Sequence, residues 1–364
     1  NRSLMRVQLA RLIHALLMCM ACCLPTWAQE ATSVFISEKH AFRVTTLVTG
    51  LENPWSVALL PDGRLLVTEK SGRLRLVSQD FKLNPKPIEG LPELVSQGQG
   101  GLFDVVLHPQ HAQNGWIYWA YNAPGPGGWG TALARGKLQD HRMTEVQVLF
   151  SMQPKTRSRF HFGGRIVFDQ AGFVYLTLGD RGDKDRAQKM NDHAGSVIRL
   201  HDDGRVPINN PFVNRAGALA EKWTLGNRNM QGAALHPQTG ELWTHEHGPQ
   251  GGDEVNVMRS GLNYGWPVIS YGKHYSGAEI GIGQAEQVKD CLIGKAQTEQ
   301  SGPGKVAVGG LQRLLLAVID REHRAAAPIH ELTAAGKADA VILGIALIGN
   351  AALNVEFQSV EITA

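Results

Sequence analysis

From about residue 42 onward, apolar and polar positions alternate in short runs, and the runs come in pairs joined by glycine-containing turns. Trp55–Leu60 leads through Pro61-Asp62-Gly63 into Leu65–Thr68, and Gly101–Leu107 leads through Pro109 and Gly115 into Trp116–Trp119. Arg165–Phe168 leads through Asp169 and Gly172 into Val174–Thr177, and Gln231–Leu235 leads through Pro237 and Gly240 into Leu242–Thr244. Each pair predicts strand, hairpin, strand. The turn markers Pro61, Pro109, Asp169 and Pro237 stand 48, 60 and 68 residues apart. Multi-stranded units recurring at about 50 residues predict the blades of a β-propeller, with surplus length in loops. A β-sandwich also contains hairpins, but its turns recur at about 8–12 residues without a longer superperiod. The predicted fold class is therefore all-β.

The pattern changes toward the C-terminus. All eight Trp lie at or before Trp266 and all six Tyr at or before Tyr275, leaving Phe357 as the only later aromatic. Leu311–Ala327, rich in Leu, Ala, Arg and Glu, predicts a helix. Asp339–Asn354 is an apolar run shorter than the roughly 20 residues of a membrane span. The break falls at Ala285–Lys289. A helical, aromatic-poor tail conflicts with the β pattern before it, and suits an out-of-frame reading of the gene or a replaced end.

At the other end, Arg6 and Arg11 precede the mostly apolar Leu12–Leu24, and Thr26-Trp27-Ala28 offers a small-residue cleavage site. This is the pattern of a secretory leader; a membrane anchor would need a longer apolar run, and lipid attachment at Cys22 or Cys23 is a third reading. The expected division is a leader over 1–28, a β-propeller over 29–285 and a divergent tail over 286–364. Loss of the leader arginines Arg2, Arg6 and Arg11 takes the formal charge of +3 to neutral, so charge offers no argument for nucleic acid or an anionic membrane. Cys19, Cys22 and Cys23 leave as well. Cys291 alone remains, which suits a periplasmic or secreted protein without a disulfide framework.

Four clusters carry candidate chemistry. Gln97-Gly98-Gln99-Gly100-Gly101 allows close backbone approach to a ligand and supplies an amide, though a plain loop reads the same. Arg159-Phe160-His161-Phe162-Gly163-Gly164-Arg165 puts a histidine at a strand entrance, where it can serve as a general base; among 14 His, a structural role is the ordinary alternative. Gly226-Asn227-Arg228-Asn229-Met230-Gln231-Gly232 places a cation and amides on one rim, suited to an anionic, carbonyl-rich ligand. His245-Glu246-His247-Gly248-Pro249, followed by Asp253 and Glu254, combines carboxylates with turn carbonyls, as a hard cation such as calcium prefers; His245 and His247 alone make a weak zinc site. Asp180-Arg181-Gly182-Asp183 reads as a polar hairpin.

These clusters, with Glu52-Asn53-Pro54-Trp55 and Asn263-Tyr264-Gly265-Trp266-Pro267, resemble in order the soluble quinone-dependent sugar dehydrogenases of the glucose/sorbosone dehydrogenase family. The resemblance runs from about Phe42 to Gln284. It implies a six-bladed β-propeller that binds pyrroloquinoline quinone and calcium and oxidises an aldose sugar at C1 to its lactone. By the same resemblance His161 is the base and Arg228 stabilises charge building on the quinone oxygens. Gln99 and Asn229 contact the cofactor, Gln231 lies at the calcium, and Gly248 and Pro249 bind that calcium through their carbonyls. Glu254 and Tyr264 form a second calcium site. The electron acceptor is left open, as is a homodimer, and no membrane span remains after leader cleavage. The residues after about 286 do not match the closing blades, so the expected propeller is incomplete. A non-catalytic calcium-stabilised propeller and a propeller hydrolase or lactonase are the competing readings.

Overall fold

The computed structural model describes residues 46–281 with their side chains, together with the backbone of the strands at 33–36, 41–45, 314–319, 326–327, 342–348 and 351–357. After β1 (Ser33–Ile36) and β2 (Ala41–Val48), the chain builds antiparallel sheets from consecutive strands. The first holds β3 (Pro54–Leu59), β4 (Leu65–Glu69) and β5 (Leu74–Val77). The second holds β6 (Leu102–Leu107), β7 (Trp116–Gly125), β8 (Gly128–Gln139) and β9 (Arg142–Ser151). The third holds β10 (Ile166–Phe168), β11 (Val174–Thr177), β12 (Val197–Leu200) and β13 (Lys222–Thr224), and the fourth β14 (Met230–Leu235), β15 (Leu242–Glu246) and β16 (Glu254–Met258). All four hairpins expected from the turn markers are present, joining β3–β4, β6–β7, β10–β11 and β14–β15.

The sheets pack face to face in chain order. Leu66, Leu74 and Leu76 meet Leu102, Trp119 and Tyr121 between the first and second. Phe103, Tyr118 and Leu133 meet Ile166, Leu176 and Ile198 between the second and third, and Tyr175 and Val197 meet Met230, Leu242 and Met258 between the third and fourth. Strands covered on both faces have no polar side to show, which is why β4, β5, β11 and β12 are buried at every position. One polar device recurs at each junction. A buried threonine hydroxyl donates to a carbonyl of the next unit: Thr68 to Phe103 at 2.6 Å, Thr131 to Phe162 at 2.7 Å, Thr177 to Met230 at 2.9 Å. Asp104 on β6 ties three units together, accepting from Ser56 Oγ at 2.5 Å, Arg165 Nη1 at 3.0 Å and the Ile166 N–H at 2.9 Å.

The remaining strands, β17 (Leu314–Ile319), β18 (Ala326–Ala327), β19 (Ile342–Ile348) and β20 (Ala351–Phe357), join β1 and β2 in a sheet of order β1-β2-β20-β19-β17-β18. Of the helix expected over Leu311–Ala327, the described residues Leu314–Ile319 and Ala326–Ala327 are strands instead. Leu314 to Val318 pair with Ala346 to Ile342, and an apolar Leu/Val/Ile run takes the conformation its pairing partner offers rather than the one its local composition favours. The apolar run Asp339–Asn354 likewise supplies β19 and part of β20. The all-β class holds. The leader over 1–28 and the break at Ala285–Lys289 lie outside the described residues. Among the described residues no helix is long and apolar enough to cross a membrane.

Candidate active site

The site is built where loops joining and following the sheets touch one another. The Gln97–Gly101 loop before β6 lies against the loop before β10: the Gln99 N–H donates to Arg159 O at 2.9 Å, and Gln99 Oε1 accepts from the His161 N–H at 2.8 Å. This approach requires glycine at 98, where φ is +60° and a Cβ would strike Arg159. His161 itself holds φ +50°, a left-handed conformation that costs a non-glycine residue about 1–3 kcal/mol and persists only where its surroundings enforce it.

The His161 ring is 15% exposed and its Nδ1 lies 2.6 Å from Oδ1 of Asp180, which is 1% exposed. Asp180 Oδ1 also accepts from the Gly182 N–H at 2.7 Å, and Oδ2 accepts from Trp266 Nε1 at 2.8 Å. A carboxylate with donors on both oxygens acts as acceptor toward the imidazole, which assigns the proton to Nδ1 and leaves Nε2 as the basic nitrogen. The Asp180 N–H donates to Arg228 O at 2.8 Å, joining this turn to the loop after β13. The Arg228 guanidinium lies 5.5 Å from the Trp266 ring centroid and donates from Nη1 to His247 O at 2.8 Å. His161, Asp180, Trp266, Arg228 and the start of the Gly248 loop are therefore contiguous.

Beneath them sits Glu246. Its Oε2 accepts from the backbone N–H groups of Arg228 and, at 3.1 Å, of Asn229, and its Oε1 accepts from Asn227 Nδ2 at 2.9 Å and Asn256 Nδ2 at 3.3 Å. Glu254 stands opposite Glu246 in the β15–β16 register, and Asn256 Nδ2 also reaches Glu254 Oε2 at 3.1 Å. Burial, and then the charge of Glu254, push the Glu246 carboxyl above the ordinary carboxylate range, while the surrounding N–H donors pull the other way. Burial, with His247 and Arg165 adding to it, pulls the neighbouring His245 down to about 4.

Beyond β15, Gly248 donates its N–H to Asp253 Oδ1 at 2.8 Å, and a Cβ at Gly248 would run into the Gly251 carbonyl. This loop packs backbone on backbone, so carbonyls rather than side chains are its oxygen donors. Among the described residues no group of three or more His, Cys, Asp or Glu side chains is placed to hold a metal ion. An oxygen-preferring hard cation is compatible with that, since the Gly248 and Pro249 carbonyls and the buried Asn227 Oδ1, which accepts no hydrogen bond among the described residues, are oxygen donors. The Arg228 cation and the Gln99 amide suit an anion bearing carbonyls and carboxylates. The donor set fits calcium and a quinone of that type.

Of the residues predicted from sequence, His161, Arg228, Gln99 and Gly248 come together. Asn229 is buried, with its Oδ1 accepting from the Gly163 N–H at 3.2 Å. Gln231 sits in the bulge between Met230 and Gly232, and its carbonyl accepts from Arg165 Nε at 3.2 Å, so it belongs to the network between sheets. The Tyr264 side chain is in the core, its hydroxyl donating to Val257 O at 2.5 Å, so any role toward a cation falls to its backbone carbonyl. Sequence reasoning missed Asp180, taken for part of a polar hairpin, and the roles of Trp266 and Glu246. The only local signal was an Asp-Arg-Gly turn directly after an apolar strand.

The sequence model of the glucose/sorbosone dehydrogenase family matches residues 51–311, past the break at 285. The aldose sugar dehydrogenase YliI of Escherichia coli strain K12 is 40% identical over 266 residues, covering 72% of this chain and 69% of that protein. The crystal structure of the soluble aldose sugar dehydrogenase from Escherichia coli in the apo form superposes with a TM-score of 0.70 at 31% identity, covering 86% of this chain and 99% of the other. The PQQ-bound form of the aldose sugar dehydrogenase from Streptomyces coelicolor superposes with a TM-score of 0.55 at 26% identity, covering 69% and 71%. Matched over most of its length and through the loops that carry His161, Arg228 and Gly248, this chain belongs to the glucose/sorbosone dehydrogenase family.

Proposed function

We propose that the protein is an exported, periplasmic or secreted dehydrogenase that oxidises aldose sugars at C1 to the lactone, with its sheets as blades of a six-bladed propeller. The observation that carries this reading is the His161–Asp180 pair joined through Trp266 to the Arg228 cation. When bound, pyrroloquinoline quinone with calcium supplies the acceptor for the C1 hydrogen and its two electrons. His161 Nε2 takes the proton of the C1 hydroxyl, and Asp180 holds the ring in the tautomer this needs and steadies the imidazolium that forms. Arg228, fixed by His247 O, supplies positive charge where negative charge develops on the bound cofactor. Gln99 and Asn229 line the cofactor site. Gly248 and Pro249 would hold its calcium through their carbonyls with Gln231 nearby, and the Glu254 and Tyr264 carbonyls would hold a second calcium.

The test is reconstitution of the purified protein with the quinone and calcium, followed by an aldose and an artificial dye acceptor. Dye reduction that disappears in His161→Ala supports the reading. Tight quinone binding without turnover would favour a non-catalytic calcium-stabilised propeller instead, a reading motivated by a family match that ends at residue 311.

A further inference from the structure

Arg181 is 2% exposed, and among the described residues no carboxylate lies in ion-pair contact with its guanidinium, the Asp180 charge acting on it from farther away. Its donors are aimed at the backbone of the loop that presents His161. Nη1 donates to Phe160 O and, at 3.5 Å, to His161 O, and Nη2 donates to Ser158 O at 2.7 Å. The guanidinium carbon lies 3.4 Å from the centroid of the Phe162 ring, and Nε has no hydrogen-bond partner among the described residues. Burial, and secondarily Arg186, pull the group down to about 9 against the opposing charge of Asp180, so it is still a cation at neutral pH.

Desolvating a guanidinium with no carboxylate in contact is costly, and an apolar side chain would fill the same space more cheaply. What the cation achieves is geometric. Its planar fork fixes carbonyls at 158, 160 and 161, which a flexible or apolar side chain cannot do. The backbone says the same. The Arg181 N–H donates to His161 O at 3.3 Å, and both residues are left-handed, Arg181 at φ +63° and His161 at φ +50°. Gly179 leaves room for the His161 carbonyl, which a Cβ there would strike. Two neighbours in one turn thus hold His161 from two sides.

We propose that Arg181 is a positioning residue for His161, holding its strained backbone while Asp180 holds its ring. The proposal rests on the reading of His161 as the base, and its test does not. In the apo protein the Nδ1–H of His161, in a 2.6 Å bond to Asp180, should give a downfield proton NMR signal, identified by its absence in His161→Ala. In Arg181→Met we expect this signal to broaden away while circular dichroism and a cooperative unfolding transition persist. In the reconstituted enzyme kcat should fall about a hundredfold with KM changed less than about threefold, the cost of misplacing one reacting group. Arg181→Lys, which keeps the charge but not the fork, should fall between. Should Arg181→Met fail to fold, the same readings on Arg181→Lys decide. A variant that keeps the signal and kcat, even one that is less stable, overturns the proposal. Wild type that oxidises no aldose sinks the functional reading alone, because the apo signal still reports on Arg181.

Discussion

The Nδ1 of His161 lies 2.6 Å from Oδ1 of Asp180, whose other oxygen is held by Trp266 Nε1 at 2.8 Å. One buried carboxylate thus orients the imidazole and is itself oriented from a residue 86 positions away. Asp180→Asn would place an amide among donors and remove the acceptor that selects the Nδ1–H tautomer. The expected loss in kcat is about 10²–10⁴-fold, with KM little changed, measured by steady-state dye reduction.

Glu246 accepts from the Arg228 and Asn229 N–H groups and from the Asn227 and Asn256 amides. Glu246→Gln keeps the shape but turns an NH₂ toward those donors. Unsatisfied buried donors should cost about 2–4 kcal/mol, read from urea unfolding midpoints at constant slope. Asn227→Ala, which removes one donor and leaves the carboxylate in place, should cost less.

His245 titrates at about 4 in the folded protein because burial disfavours its charged form, against a reference value of 6.5. Between these values the unfolded chain binds the extra proton, so stability rises with pH. The contribution is complete above about pH 6.5 and declines as pH falls toward 4, to a total of up to about 3 kcal/mol. Relative to His245→Gln, the wild type should lose up to about 3 kcal/mol of unfolding free energy as pH falls from 7.5 toward 4. Parallel curves would contradict this.

Gly248 has no room for a methyl group beside the Gly251 carbonyl. Gly248→Ala should displace the carbonyls of the loop and weaken calcium binding at least about tenfold by calorimetry, equivalent to about 1.4 kcal/mol. Calcium should raise the thermal midpoint of the wild type, as any ligand of the native state does, and raise that of the variant less.

Much of the molecule was legible along the chain. Paired apolar runs and glycine turns located the hairpins of all four central sheets, because period-two patterning and turn chemistry act within a few residues. Gln99, His161, Arg228 and Gly248 stood out as unusual polar or glycine positions in loops. The aromatic-poor tail misled: Leu311–Ala327 has the Leu, Ala, Arg and Glu of a helix, yet Leu314–Ile319 within it is a strand, since Leu314 to Val318 pair with Ala346 to Ile342 of β19.

By itself the amino-acid order determined the all-β class, the hairpin positions and the residue types available for chemistry. Folding alone decided that Asp180 and Trp266 share one carboxylate contact, that Glu246 underpins Arg228, and that Arg181 grips the His161 loop. Hydrogen-bond geometry between loops of different sheets is set by how the sheets stack, and stacking depends on apolar contacts distant in sequence, which no local pattern encodes.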